Sequence, residues 1–114
     1  MEIKEIREVI AERDLYLEGQ PQSHIRVIFG KPQKASGSSH DHALCPYQIL
    51  GIGDEKVHSA AGVDAVQALQ LAMEMVGAEL YFKLNRQCDR RLRWEAGIEG
   101  DLGFPVPAHL EQEK

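Results

Sequence analysis

The feature that most constrains the fold is the stretch Gly62–Leu84, which predicts one long amphipathic helix. The polar residues Gln67, Gln70 and Glu74 fall on one side of a helical wheel. Asp64, three residues before Gln67, is typical of an N-terminal capping box. The apolar residues that cluster on the other side, the predicted core stripe, are Val66, Leu69, Met73, Val76, Leu80 and Leu84. At about 1.5 Å per residue this helix would cross a small sheet completely.

The same helix carries a second apolar strip, formed by Leu71, Met75, Ala78 and Phe82. A single sheet cannot cover both strips, so we expect either the C-terminal segment or another subunit to lie against the second one. Trp94, the only tryptophan, either anchors the C-terminal segment on the helix or contributes to a partner interface. The predicted interface residues are therefore Leu71, Met75, Phe82 and Trp94.

Four strands are predicted before the helix. Ile25, Val27 and Phe29 alternate with more polar neighbours, which is typical of a strand with one buried face. Pro46 cannot donate to a sheet ladder, so we expect it near a strand start or on an edge. The predicted strands are Glu8–Glu18, Ser23–Gly30, Leu44–Ile52 and Lys56–Ser59, and the Gly/Ser/Pro-rich residues 31–42 are predicted to be a loop.

Strands grouped before a single helix predict an α+β domain with two layers. We expect an antiparallel three- to four-stranded meander, one long helix packed on one face, and an extended C-terminal tail. Pro105 and Pro107 favour the extended tail because proline fixes φ and restricts the residue before it. The chain has 114 residues, which predicts a single domain over residues 1–114.

The net charge is −5, from 18 acidic and 13 basic residues. An acidic chain does not favour non-specific binding to nucleic acid or to anionic membranes. We find neither an apolar run long enough to span a bilayer nor a secretory signal pattern. The sequence therefore predicts a cytoplasmic protein whose Cys45 and Cys88 are thiols.

The densest group of metal-ligating residue types is His40, His42 and Cys45, with Cys88 as a possible fourth ligand. The spacing matches no standard zinc motif, and a solvated loop followed by a buried thiol explains the same residues. We therefore expect no metal, no cofactor and no catalytic residue. A small metal-binding or thiol-dependent enzyme centred on these three residues is kept as an alternative hypothesis.

One basic patch lies after the predicted helix and consists of Arg86, Arg90, Arg91 and Arg93. Guanidinium groups bind phosphate and carboxylate through paired hydrogen bonds, so this patch is a candidate anion site. A solvated helix end explains it equally well, since cations at a helix C-terminus complement the helix dipole. Four arginines among so many acidic residues do not indicate a nucleic-acid-binding protein.

Two motifs carry a family resemblance: Cys45-Pro46-Tyr47-Gln48-Ile49, and the eleven-residue helix segment Gly-Val-Asp-Ala-Val-Gln-Ala-Leu-Gln-Leu-Ala over residues 62–72. Together with Gly103-Phe104-Pro105 they resemble a family of short bacterial proteins known only as a domain of unknown function. The resemblance implies a bacterial cytoplasmic protein with a sheet-plus-helix fold, and it implies no activity.

The leading functional hypothesis is a small non-catalytic binding or assembly module. Its expected partner is a second copy of the chain, in a homo-oligomer such as a homodimer, or another protein, rather than nucleic acid or a membrane. A more specific alternative is an immunity or defence-associated protein that binds a cognate toxin, with which small size and acidity are compatible.

Overall fold

The computed structural model describes residues 2–36, 41–87 and 91–113. One long helix packs on an antiparallel sheet, as the sequence predicts, and the sheet has six strands. The strands are β1 (Val9–Leu17), β2 (Gln20–Gly30), β3 (Gln33–Ser36), β4 (Asp41–Leu50), β5 (Val57–Gly62) and β6 (Leu92–Arg93). The main helix is α1 (Ala65–Glu79), followed by a π-helical turn (Leu80–Leu84), a short helical turn (Asn85–Gln87) and a terminal 3-10 helix (Ala108–Glu113).

Strand β4 is the centre of the sheet. One edge of β4 pairs with β5, and the other edge pairs with β3 over residues 41–44 and with β2 over residues 47–50. Strand β1 pairs with β2, and β6 adds two residues to the outer edge of β1. The arrangement is the predicted antiparallel meander, extended by the two short strands β3 and β6.

Two predictions about this region are wrong. Residues 33–36, assigned to the loop, form β3, and β4 begins at residue 41. Pro46 lies in the middle of β4, opposite Ser59 of β5, and not at a strand start or sheet edge. The central position is tolerated because the ladder on the other edge of β4 is interrupted there: Phe29 pairs with Tyr47, and the next pairing begins only at Gln33.

The predicted cap at Asp64 is confirmed, but α1 begins at Ala65, because Gly62, the predicted first residue of the helical stretch, ends β5. The side chain of Asp64 accepts a hydrogen bond from the backbone N–H of Gln67 at 2.9 Å, and the Gln67 side chain accepts one from the N–H of Val63 at 2.8 Å. This reciprocal pair resembles a capping box, except that Gln67 accepts from Val63, the residue before the N-cap Asp64.

The core stripe of the helix differs from the prediction at its N-terminal end. Val66 was expected in the core, but its side chain is 65% exposed. Val76, Leu80 and Leu84 of the predicted stripe are buried, Leu69 and Met73 are half-buried, and Ala68 and Ala72 are buried in addition. Small residues are required at the start because the helix lies close to β5: a Cβ on Gly62 would be 2.5 Å from the backbone nitrogen of Ala68.

The π-helical turn shifts the helix register and connects the helix to the C-terminal segment. The hydroxyl of Tyr81, in this turn, donates to Asp101 at 3.1 Å and accepts from the backbone N–H of Leu102 at 2.7 Å. Leu102, Phe104 and Val106 are buried. The segment therefore covers part of the helix. Residues 104–107, which include Pro105 and Pro107, are not helical, and the chain then forms the 3-10 helix Ala108–Glu113, so no extended tail is shown after Pro107.

The hydrophobic core lies between α1 and one face of the sheet. Its fully buried larger side chains include Leu15, Val27, Cys45, Leu80 and Leu102. In the part of the chain that the structure describes, we find no helix that is both long enough and apolar enough to cross a membrane.

Candidate functional site

The candidate site is the free edge of β5 together with the flank of α1 above it. Within the described residues, β5 pairs only with β4, so the backbone groups along its other edge have no strand partner. The strand reads Val-His-Ser-Ala-Ala-Gly and contains no Asp, Glu, Lys, Arg or Pro. An uncharged edge strand without proline is the type of edge that accepts an additional strand.

The other edges of the sheet are protected. Glu12, Arg13 and Asp14 are consecutive in β1, and the Arg13 guanidinium donates to the carbonyl oxygens of Leu102 and Gly103 at 3.1 Å. Charged side chains of this kind disfavour pairing with another chain. Strands β3 and β6 are only four and two residues long. Strand β5 is therefore the least protected edge among the described strands.

Leu71 and Met75 of α1 lie on the side of the helix that faces β5. Met75 is one turn and Leu71 two turns before Glu79, and residues four apart share one helix face. Glu79 itself lines a pocket with His58 of β5, which fixes the direction of this face. Met75 is 43% exposed and Leu71 is half-buried. The edge of β5 and an apolar helix flank thus form one continuous surface, called the β5 surface below.

A small polar pocket lies at the N-terminal end of β5. His58 contacts the Asp54 carboxylate at 3.1 Å, and the ring of His58 stacks on Tyr47 with 5.7 Å between centroids. The pocket has a volume of about 40 Å³ and also includes Lys56 and Glu79. This volume holds one or two water molecules.

Two pKa shifts mark this pocket. Burial raises the pKa of Tyr47 to about 12, and the negative charges of Glu79 and Asp54 add to the effect. The backbone N–H of Lys56 donates to Asp54 and holds the pKa of that carboxyl below its ordinary value, with a smaller contribution from His58. Asp54 orients His58, but the residues lining the pocket include no serine, threonine or cysteine nucleophile.

The predicted metal-ligating residues do not converge. His42 and Cys45 are three residues apart on β4, so their side chains point to opposite faces of the sheet. Cys45 is fully buried on the helix-facing side, and burial raises the pKa of its thiol to about 11. His40 and Cys88 lie outside the described residues. Within the described ranges, no three His, Cys, Asp or Glu side chains are placed to hold a metal ion.

The predicted anion patch is divided. Arg86 and Arg91 line a cleft of about 740 Å³ between the end of the helix and residues 99–101, but Glu99 and Asp101 line the same cleft. Arg93 forms an ion pair with Glu18 at 2.9 Å, and Arg90 lies outside the described residues. The cleft therefore presents both signs of charge, and anion binding stays a prediction.

The four predicted interface residues occupy different environments. Leu71 and Met75 belong to the β5 surface, as described above. Phe82 is half-buried in the π-helical turn, 5.7 Å below the Arg86 guanidinium. Trp94 is half-buried beneath the Arg13 guanidinium at 3.9 Å and packs against Gly103, so it anchors the C-terminal segment. The structure does not bring Trp94 to the other three.

Strand β5 is longer than its sequence pattern predicts, and its role as an edge was not predicted. Lys56–Ser59 was predicted as a short hairpin partner of β4, but the strand runs to Gly62. The absence of charge and proline from residues 57–62 was the available signal. That these residues form an edge depends on the order of the strands in the sheet, which a strand pattern does not specify.

Comparison with known proteins gives one match. Neither the curated proteins nor the solved structures contain a match to this chain. A family model described as a domain of unknown function, DUF6968, matches residues 11–106. That range runs from β1 through the whole sheet and helix to the buried Val106. The chain therefore belongs to the DUF6968 family.

Proposed function

We propose that this protein is a non-catalytic assembly module that self-associates through the β5 surface. The observation that carries the proposal is the free, uncharged edge of β5 beside the exposed side chain of Met75. A second strand placed against this edge would satisfy its backbone N–H and C=O groups, and the helix flank would gain apolar contacts. Such strand addition is a common mode of protein association.

The charge distribution favours a second copy of the chain as the partner. At a two-fold interface the same surface of both copies is in contact. A charged residue near the axis therefore lies close to the identical residue of the partner, and the two repel. Although the chain carries a net charge of −5, β5, Leu71 and Met75 carry none. The pocket with Tyr47 and His58 supports a non-catalytic function, because a volume of about 40 Å³ has no room for an organic substrate beside its polar groups.

Sedimentation equilibrium on three forms of the protein tests the proposal. Met75→Glu places a charge on the β5 surface, whereas Val66→Glu places the same charge on the opposite side of the same helix, because nine residues are two and a half turns. Both side chains are exposed, at 43% and 65%, so both variants should fold like the wild type.

We expect the wild type and Val66→Glu to form dimers with similar dissociation constants. Met75→Glu should raise the dissociation constant roughly tenfold or more, because a charge would be buried at the interface without a partner. A wild-type protein that stays monomeric at high micromolar concentration would contradict the proposal, as would equal effects of the two glutamates.

A further inference from the structure

We infer that the two copies pair antiparallel along β5 with Ala60 of one copy opposite Ala60 of the other. This register rests on the proposed self-association and adds the geometry of the interface and the residues that select it. Lys56 and Asp64 are its specificity-determining residues, since each falls opposite the other at the two ends of the paired segment.

The segment 56–64 reads Lys-Val-His-Ser-Ala-Ala-Gly-Val-Asp. When two copies of it run antiparallel, the side chains that face each other match in charge and in size. With Ala60 on the two-fold axis, Lys56 lies opposite the partner's Asp64, and Val57 lies opposite the partner's Val63. The inner pairs combine only His58, Ser59, Ala61 and Gly62, so no bulky side chains meet near the axis. Opposite charges and apolar side chains directly across an antiparallel pair each stabilise it.

The exposures of these residues agree with the register. Val63 is 76% exposed, which is a high value for an apolar residue next to a strand, and the pairing would cover it with the partner's Val57. Asp64 has extended backbone angles, with φ −147° and ψ 178°. Strand β5 itself ends at Gly62, and Val63 and Asp64 form a bend before the helix, so the two end pairs extend the ladder beyond β5.

The same register places both helices on one face of a continuous sheet. His58, Ala60 and Gly62 lie on the face toward α1, since His58 lines a pocket with Glu79 and a Cβ on Gly62 would be 2.5 Å from the backbone nitrogen of Ala68. In the Ala60 register these residues pair only with one another, so the two sheets share one helix-bearing face. Because α1 packs against both β4 and β5, strands about 4.8 Å apart place the two helix axes about 10 Å apart, which is a normal packing distance.

Neighbouring registers are less favourable. A shift of the axis to Ser59 places Asp54 opposite the partner's Asp64, and these like charges repel. A shift to Ala61 places Val57 opposite the partner's Ala65, which is the first residue of α1 and has a helical backbone that cannot join a ladder. A register that pairs odd with even residues would direct the helix of one copy to the opposite face.

Disulfide formation between two single-cysteine variants tests the register. Val57→Cys and Val63→Cys are each made in a Cys88→Ser background, and one of them is labelled with ¹⁵N so that intact mass separates the three possible products. Cys45 can remain because its buried thiol, with a pKa of about 11, stays protonated and unreactive. Neither substitution removes the Asp64 cap.

We expect the mixed disulfide, which joins one Val57→Cys chain to one Val63→Cys chain, to exceed either same-variant disulfide roughly tenfold, since like positions are about 20 Å apart in this register. Same-variant disulfides, or none in a sample that sediments as a dimer, would overturn the register and leave the proposed self-association intact. A monomer in the same sedimentation run would overturn both.

Discussion

At the scale of single residues, Gly77 shows how closely the C-terminal segment packs on the helix. A Cβ at this position would lie 2.1 Å from the carbonyl oxygen of Pro105 and 3.2 Å from the Val106 side chain. The neighbour is backbone, which cannot move aside as a flexible side chain can. Glycine is therefore required at this position because the Pro105 backbone leaves no space for a side chain. Its backbone dihedral angles are ones that other residues can adopt.

We predict that Gly77→Ala destabilises the protein by about 1–2 kcal/mol, because overpacking against Pro105 exceeds the gain in helix propensity of about 1 kcal/mol. Urea unfolding measures the change, and Gln70→Ala is the control, since Gln70 is an exposed residue of the same helix. The control should change the free energy of unfolding by only a few tenths of a kcal/mol. A stabilising Gly77→Ala would show that the segment does not cross the helix there.

Cys45 and Tyr47 both have raised pKa values, so the free energy of unfolding should fall at alkaline pH. Burial raises the pKa of Cys45 from 9.0 to about 11 and the pKa of Tyr47 from 10.0 to about 12. The unfolded chain therefore releases these protons at lower pH than the folded chain does. Their contribution is fully present below pH 9 and is lost as pH rises toward the folded-state values.

We predict that the free energy of unfolding of the wild type falls between pH 9 and pH 12, and that Tyr47→Phe falls less steeply above pH 10. Urea unfolding at a series of alkaline pH values gives both curves. Parallel curves for the two proteins would mean that the Tyr47 hydroxyl titrates in the folded protein as it does in the unfolded chain.

At the scale of elements, the periodicity of residues 62–84 was sufficient to predict the helix and its cap, because both depend on local sequence. The core stripe was less accurate. The wheel placed Val66 in the core on hydrophobicity alone, but the close contact between Ala68 and Gly62 decides which face is buried. Packing distance between elements overrides residue hydrophobicity here.

The strands were predicted where apolar and polar residues alternate, as in β1 and β2, and missed where they do not. Strand β3, Gln-Lys-Ala-Ser, contains one apolar residue, and its pairing with β4 stabilises it more than its own composition does. Pro46 was misplaced for a related reason, since the interruption between β2 and β3 that accommodates it exists only in the assembled sheet.

At the scale of the whole molecule, the proposed interface follows from the order of the strands. The second apolar strip of the helix indicated from sequence that another surface should cover it, and the predicted residues included Leu71 and Met75. Which strand adjoins that strip could not be predicted, because the pairing of β4 with β5 on one edge and with β2 and β3 on the other is a long-range property.

The most direct test of the proposed interface is amide hydrogen exchange of residues 57–62 at protein concentrations well below and well above the dimer dissociation constant. Pairing along β5 predicts that the amides directed to its free edge exchange roughly ten times more slowly, or slower still, at the higher concentration, while amides of β1 keep one rate at both. Exchange of residues 57–62 that is independent of concentration, in a sample that does dimerise, would contradict assembly through β5.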